Sequence, residues 1–509
     1  MDISYLITES ELVEHIQQFQ FPLKAGEEEW KRQLQDPWTT SKSVLESRAK
    51  EIMMLRKDTE TCALATSVLN ELKPYEATLR EHIPSELSKS ADGQIFFTGT
   101  HTKVLNNVPF LILAIVFLKI WVAPFLALLT PLILIIMPYV IMTSVMDMPI
   151  PWDTYVVMMK HMVFGIQGGE PWRLKHYGQA IWTLVSMAQG IMTPFFTAYH
   201  ISKLDAILVK RGEALYKLHK DCKNLLATFQ AQGIFHMDHI QFPDIPSEPH
   251  EIVAWMDSEP LGMRQIWKLI GKLTIVSRMA TDTLWQPVTW TTDRQTLTLT
   301  DITDIAISET KAIKSSLTLH GHSLLTGPNR GGKSSCLRAI LQQILLGQTF
   351  GCTRGCTGSW NPFGLVFTRL KSRDSAGKES LFEMEVRMAS KILHTTRSKK
   401  VHTLVLIDEL FHSTNPPDAE TSAKLFLKEL WTFPSCKSIV STHIFSLCKT
   451  VPKQIQTLCC PATLLPSGKL QYSYKLQTGI CTTSSVKEVL QEAGLLRSNV
   501  RLNATEKTT

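Results

Sequence analysis

The strongest constraint on this chain is the run Leu325-Thr-Gly-Pro-Asn-Arg-Gly-Gly-Lys-Ser-Ser-Cys-Leu337. Within it, Gly327 to Ser334 satisfies G-x-x-x-x-G-K-[ST], the spacing of a phosphate-binding loop. Leu324 and Leu325 ahead of it read as the end of a buried strand, and Cys336 to Leu346 after it reads as a helix. Gly327, Gly331 and Gly332 allow a tight turn that aims successive N–H groups at a phosphate. The helix N-terminus adds partial positive charge. Lys333 can reach the β- and γ-phosphates, and the Ser334 hydroxyl can ligate Mg²⁺. The alternative is a glycine-rich loop that holds no nucleotide. The Lys-Ser ending and the strand–loop–helix setting argue against it. An α/β domain built on a parallel sheet is the expectation.

A second strand, Leu404-Val-Leu-Ile, ends in Asp408-Glu409, 75 residues beyond Lys333 (408 − 333). It resembles a Walker B strand. There Asp408 would hold Mg²⁺, through water, and Glu409 would polarise the attacking water.

The flavour of the loop adds a family. Thr326-Gly-Pro-Asn-Arg-Gly-Gly-Lys-Ser334 resembles the T-G-P-N-x-G-G-K-S loop of MutS DNA mismatch-repair ATPases. The resemblance makes Gly327, Pro328, Asn329, Gly331, Gly332, Lys333, Ser334 and Ser335 the expected ATP-binding residues. Val366-Phe-Thr-Arg369 is similar to the MutS I-F-T-R strand. Ser380-Leu-Phe-Glu-Met-Glu385 with Ile392-Leu-His394 looks like the S-T-F-x-x-E…I-L-H helix, whose Ser reaches the nucleotide of a partner subunit. That role transfers to Ser380; a plain helix N-cap is the competing reading. Thr414, Asn415 and Asp418 match G-T-S/N-x-x-D, but Ser413 replaces the Gly. Ile439-Val-Ser-Thr-His443 is similar to the family's strand ending in T-H, so His443 would contact or sense the γ-phosphate. Tyr474-Lys-Leu-x-x-Gly479…Ser484-Ser485…Ala493-Gly494 matches the closing pattern near the dimer interface, with Val486 where Gly or Ala is usual. Asn415 resembles a divergent, membrane-embedded set of MutS-like ATPases. No aromatic residue is assigned to stack on adenine.

Outside residues 320–497 the resemblance thins. Leu34-x-x-Pro37-Trp38-Thr39 followed by Leu45-x-x-Arg48-x-x-x-Ile52 looks like the start of the MutS lever domain. No Phe-x-Glu mismatch-reading element is found near the N-terminus, and the two N-terminal DNA-contacting domains have no room ahead of this point.

The second informative stretch is Val108 to Val145, whose single charge is Lys119. Two bilayer crossings fit in it, with a tight connection bracketed by Pro124 and Pro131 and a kink at Pro138. A helical hairpin in a soluble core is the alternative, but such helices show a polar face. Ala180 to Ala198, interrupted by Gln189 and Gly190, reads as a buried or interfacial helix rather than a third span. Ile201 to Phe229 reads as a charged amphipathic helix, residues 230–260 as a proline-rich linker, Trp267 to Leu284 as a helix, and Trp285 to Ile307 as strands.

Residues 1–300 carry 27 Lys+Arg against 31 Asp+Glu, and residues 301–509 carry 26 against 15. The basic half suits phosphate ligands, nucleic acid or an anionic membrane and chooses among none of them. The ten cysteines show no disulfide or zinc spacing and read as free thiols of a reducing compartment. The N-terminus lacks the pattern of a secretory signal.

The expected organisation is a helical lever at 1–103 and 147–285, an apolar hairpin at 104–146, the ATPase domain at 286–497 and a tail at 498–509. ATP and Mg²⁺ are the expected cofactors. A homodimer or heterodimer through the ATPase domains is the expected assembly, with DNA and membrane as open partners. Three functions compete: a membrane-anchored ATPase with its catalytic domain in the cytoplasm, a soluble mismatch-repair or recombination protein of nucleus or cytosol, and a degenerate ATPase serving as scaffold. The retained Lys333, Ser334, Asp408, Glu409 and His443 argue against degeneracy. The lack of an L-S-G-G-Q signature argues against half of an ABC transporter.

Overall fold

The computed structural model describes residues 3–36, 38–81, 95–97, 102, 105–106, 108–164, 174–235, 241–370, 380–465 and 469–495. Pro37, Lys103 and the 498–509 tail lie outside them. The chain divides into two compact units: residues 1–70, 225–238 and 270–509 form one, and residues 71–224 and 239–269 the other.

The first unit is built on a six-stranded sheet. Its strands are β1 (His322–Thr326), β2 (Leu365–Arg369), β3 (Thr403–Ile407), β4 (Cys436–Ser441), β5 (Gln456–Cys459) and β6 (Gln477–Thr478). They run in the order β6-β5-β1-β4-β3-β2. All neighbours are parallel except β6, which pairs antiparallel with β5. β1, β3 and β4 are buried along their whole length, as central strands covered on both faces must be. A four-stranded sheet centred on Leu297–Ile302 and Thr357–Trp360 flanks it, so the Thr-rich stretch forms strands as expected.

The helices Ile3–Ser10, Lys24–Gln35 and Lys42–Lys57 pack against the helix Lys333–Phe350 that follows the glycine loop. Phe19, Trp30, Trp285 and Phe350 form one aromatic cluster, with Phe19 and Trp30 4.7 Å apart and Trp30 and Phe350 6.0 Å apart. Gly351, at φ 75°, ends the helix so close to Leu45 that a Cβ would sit 2.2 Å from the Leu45 carbonyl oxygen. Residues 1–70 therefore pack with the α/β domain in one compact unit. Helical periodicity shows that a segment buries one face; it does not say against what.

Arg56 closes this packing. Its guanidinium donates to the carbonyls of Met279, Ala280, Asp282 and Trp285 at 2.8–3.1 Å, covering the C-terminal end of the helix Pro260–Thr281. That helix end would otherwise leave carbonyls unpaired.

The second unit carries the apolar run, and here the structure corrects the expected hairpin. Pro109 to Val145 is one helical run with no reversal: α-helix to Phe117, a π-helical turn at Leu118–Val122, α-helix from Ala123 to Val140, and a second π-turn at Ile141–Val145. Pro124 follows directly on the first π-segment, whose wider turn accommodates its ring and missing N–H. Pro131 and Pro138 lie inside the helix. Wide turns near prolines let an apolar helix continue instead of ending. Phe110–Val145 is long and apolar enough to cross a membrane; its most apolar 18 residues have a mean hydropathy of 2.5 and only 22% of them are buried.

The helices Trp152–Phe164 and Leu174–Ala231 follow. Ala180 to Ala198 lies in the latter and is not buried, since Ile181, Trp182 and Phe196 are each at least 60% exposed. The linker at 230–260 contains a further helix, Pro249–Ser258, which Pro249 starts rather than breaks.

Replacing Arg56 by Met should lower the stability of the first unit by about 2–4 kcal/mol, because several helix-end carbonyls lose a charged donor. A urea melt followed through the tryptophans reports it; an unchanged midpoint would mean that solvent serves those carbonyls as well.

Candidate nucleotide site

The glycine loop lies where the sheet topology puts it, between the C-terminal end of β1 and the helix Lys333–Phe350. Gly327 has φ 150° and Gly332 φ 94°, and Arg330 takes the left-handed region at φ 65°. A Cβ on Gly327 would meet the Cys460 carbonyl oxygen at 2.7 Å, and one on Gly331 the Pro328 carbonyl oxygen at 2.9 Å. Gly332 is the N-cap of the helix, and no side chain caps that end. Its first N–H groups are thus left for an anion, the arrangement a phosphate requires.

A cavity of about 440 Å³ opens over this turn. Asn329, Gly331, Gly332, Lys333, Ser334 and Ser335 line one side, with Glu409. Ile302, Ile307, Ile313 and Tyr474 make an apolar side. The Lys333 ammonium is buried and folds back onto the carbonyls of Gly327 and Pro328 at 3.0 and 3.1 Å. Burial lowers its pKa, and the nearby charges of Asp408 and Glu409 oppose that shift. The two motifs separated in sequence therefore meet in one electrostatic field.

Asp408 and Glu409 follow β3. The Asp408 N–H donates to the Arg369 carbonyl at 2.8 Å, fixing the strand's exit against β2. Ser441, at the end of β4, donates its hydroxyl to Asp408 Oδ1 and accepts from the Glu409 N–H at 2.9 Å. That bond holds Glu409 at φ 54°, a region non-glycine residues rarely occupy. His443 Nε2 donates to Glu409 Oε1 at 2.9 Å. This bond is the main reason the Glu409 carboxyl is held below the usual carboxylate range. The result is an ionised, oriented base at the cavity edge.

ATP and Mg²⁺ fit this donor set. The uncapped helix end and glycine turn suit phosphates, and the hydroxyl of Ser334 with the carboxylate of Asp408 supplies the hard oxygen ligands that Mg²⁺ takes.

Ser380 stands apart. It does not line the cavity; it forms a capping box with Glu383, accepting from the Glu383 N–H at 3.2 Å while its own N–H donates to Glu383 Oε2 at 3.1 Å. Glu385, on the same helix, is the hub of its motif. Buried, it binds Arg369 at 2.5 Å, His412 at 3.1 Å and the Ser413 hydroxyl at 2.7 Å. Ser413, where the resembled pattern has Gly, thus ties the Ser380 helix to the loop after Glu409. Asn415 caps the next helix by accepting from the Asp418 N–H at 3.1 Å.

The sequence reading missed the apolar side of the cavity. Tyr474 stands 3.3 Å from where a Gly332 Cβ would be. The closing pattern named it, but for an interface. Ile302, Ile307 and Ile313 belong to no motif, and only the fold gathers them. Arg330 also reaches the closing segment, through Glu492 at 2.6 Å.

The fold and site define a phosphate-binding-loop α/β domain with a Walker-type carboxylate pair. Residues 323–509 match the family model described as MutS domain V. The chain is 32% identical over 200 residues to the mitochondrial DNA mismatch repair protein MSH1 of Arabidopsis thaliana, a stretch covering 38% of this chain and 17% of that protein. It is 29% identical over 175 residues to the DNA mismatch repair protein MutS of Leuconostoc mesenteroides, covering 34% of this chain and 20% of that protein. With human Msh6 the identity is 36% over 129 residues, or 24% of this chain and 9% of that protein. These matches relate residues 323–509 to MutS domain V. The matched stretches span a fifth or less of these three relatives' own lengths.

In His443→Asn, Glu409 should lose its main stabilising bond and titrate closer to the ordinary value of about 4.3. A base must be ionised to act, so the acid limb of any turnover should move to higher pH. A pH–rate profile tests this; an unmoved limb would show that Glu409 is not the titrating base.

Proposed function

We propose that this protein binds and hydrolyses Mg-ATP, and that nucleotide binding closes two ATPase domains head to tail. The observation that carries the reading is the cavity itself, which Lys333, Ser334 and Glu409 all line, with Asp408 within electrostatic reach of Lys333. Lys333 steadies phosphate charge and Ser334 presents its hydroxyl. Asp408 is held ready by Ser441, and Glu409, oriented by His443, takes a proton from water. Mg²⁺, when bound, would neutralise charge on the β- and γ-phosphates.

The dimer follows from Ser380. Its capping box leaves the helix end exposed and away from its own cavity, so its expected contact is with the nucleotide of a second subunit. Homodimer and heterodimer serve this equally.

Two settings for that activity stay in view. Membrane anchoring is favoured by the exposed apolar surface of residues 109–145, with the ATPase domain on the cytoplasmic side. Action on DNA is favoured by the relatives, all three of which are named for DNA mismatch repair.

Glu409→Gln should keep ATP binding and lose turnover by about 10²-fold or more, since it removes a base but no phosphate contact. Unchanged turnover would remove Glu409 from the mechanism. Ser380→Ala should weaken ATP-dependent dimerisation in sedimentation runs; a dimer of unchanged affinity would leave Ser380 as an N-cap only.

A further inference from the structure

The second unit carries more exposed apolar surface than the run at 109–145 accounts for. Phe117, Trp121, Phe125, Leu128 and Leu132 are exposed on the first helix, and Ile181, Trp182, Leu184 and Phe196 on the helix Leu174–Ala231. The two helices meet in a small core that includes Ile112, Val116, Ile201, Leu204 and Leu208. On the first helix the apolar stretch follows this core; on the second it precedes it. The helix Trp152–Phe164 lies between them in sequence and packs near the far part of the first: Tyr155 donates its hydroxyl to the Ile135 carbonyl at 2.6 Å, and Tyr139 meets the Trp152 ring at 4.8 Å.

The charge map has the same form. No Asp, Glu, Lys or Arg occurs between Lys119 and Asp147, or between Lys175 and Lys203. Aromatic residues bracket both stretches. Trp121 and Tyr139 are 18 residues apart (139 − 121), which in a helix is about 27 Å. Trp182 and Tyr199 are 17 apart (199 − 182), about 26 Å. A bilayer's hydrocarbon core is about 30 Å thick, with Trp and Tyr enriched at its two faces. At the near end, Lys119 precedes Trp121, and Lys203 Nζ lies 4.5 Å from the Tyr199 ring centroid. Two hydroxyls inside these stretches bond within their own helices, Thr130 to the Leu126 carbonyl at 2.9 Å and Thr193 to the Gln189 carbonyl at 2.7 Å, as lipid requires.

We propose that the lipid bilayer covers this surface, and that the chain crosses it twice through two separate segments, about Trp121–Tyr139 and Trp182–Tyr199, with Trp152–Phe164 at the far surface. The inference rests on the membrane-anchored reading above and replaces a hairpin folded within 108–145. It moves Lys119 from the middle of a span to an interface, where its ammonium reaches water. The number of crossings stays even, so the chain before Pro109 and after His200 shares one side. On that side residues 201–220 hold five basic and two acidic residues, while residues 146–175 hold three of each, in the sense of the positive-inside rule.

The test is cysteine labelling of the full chain expressed in bacteria. No native cysteine lies between Cys62 and Cys222. In intact cells, a maleimide that cannot cross membranes should label Thr154→Cys but neither Thr130→Cys nor Ser202→Cys. Ser202→Cys should become reactive once detergent opens the membrane, and Thr130→Cys only once the chain is denatured. Labelling of Thr130→Cys in intact cells would put a turn inside the first run and overturn the proposal; so would loss of labelling at Thr154→Cys. An alkaline carbonate wash of the same membranes separates the two levels. Retention with the wrong labelling pattern rejects this topology alone, whereas release of the chain, as for a surface covered by a second copy, rejects the membrane reading beneath it.

Discussion

A buried ammonium sets the terms for the α/β domain of this protein. Lys333 is withdrawn from water at the start of its helix, which disfavours its charge. Two things offset that cost: the loop carbonyls of Gly327 and Pro328, and the carboxylates of Asp408 and Glu409. The carboxylates arrive only because β4 lies between β1 and β3 and carries Ser441 at its end. One hydroxyl there holds Asp408 by its side chain and Glu409 by its backbone. Strand order, loop geometry and the state of the base are consequences of one arrangement.

The same logic reaches outward through Glu385. A carboxylate this buried is costly unless paired, and removing a partner from such a group is strongly destabilising. Arg369 from β2, His412 and Ser413 converge on it. The helix that begins at Ser380 is thereby fixed relative to Glu409, whose neighbours Leu410 and Phe411 are in the core beneath. A change at the nucleotide has a packed route to Ser380, which suits a residue that would read a second subunit's site.

Much of the site was legible in the sequence because its chemistry is local. A phosphate loop needs glycines and a lysine at fixed spacing, and Asp408-Glu409 ends a strand whose apolar run is visible. Walls made from distant pieces were not legible: Ile302, Ile307 and Ile313 come together with Tyr474 only in the folded chain. The first helices were seen as helices, yet their partner, the face of Lys333–Phe350, carries no motif that announces it. At Pro124 and Pro131 the reading failed for a definite reason. Proline breaks helices in water, where freed carbonyls find solvent and turns are cheap, but this apolar helix continues, with a π-turn before Pro124, another after Pro138 and Pro131 inside the α-helix between them.

Equilibrium binding of a fluorescent ATP analogue to the purified full chain asks whether the cavity beside Lys333 is a nucleotide site. Saturable binding in the presence of Mg²⁺, competed by ATP and abolished in Lys333→Ala while the tryptophan melt is unchanged, is the result predicted. Equal binding by the wild-type chain and a folded Lys333→Ala variant would contradict it.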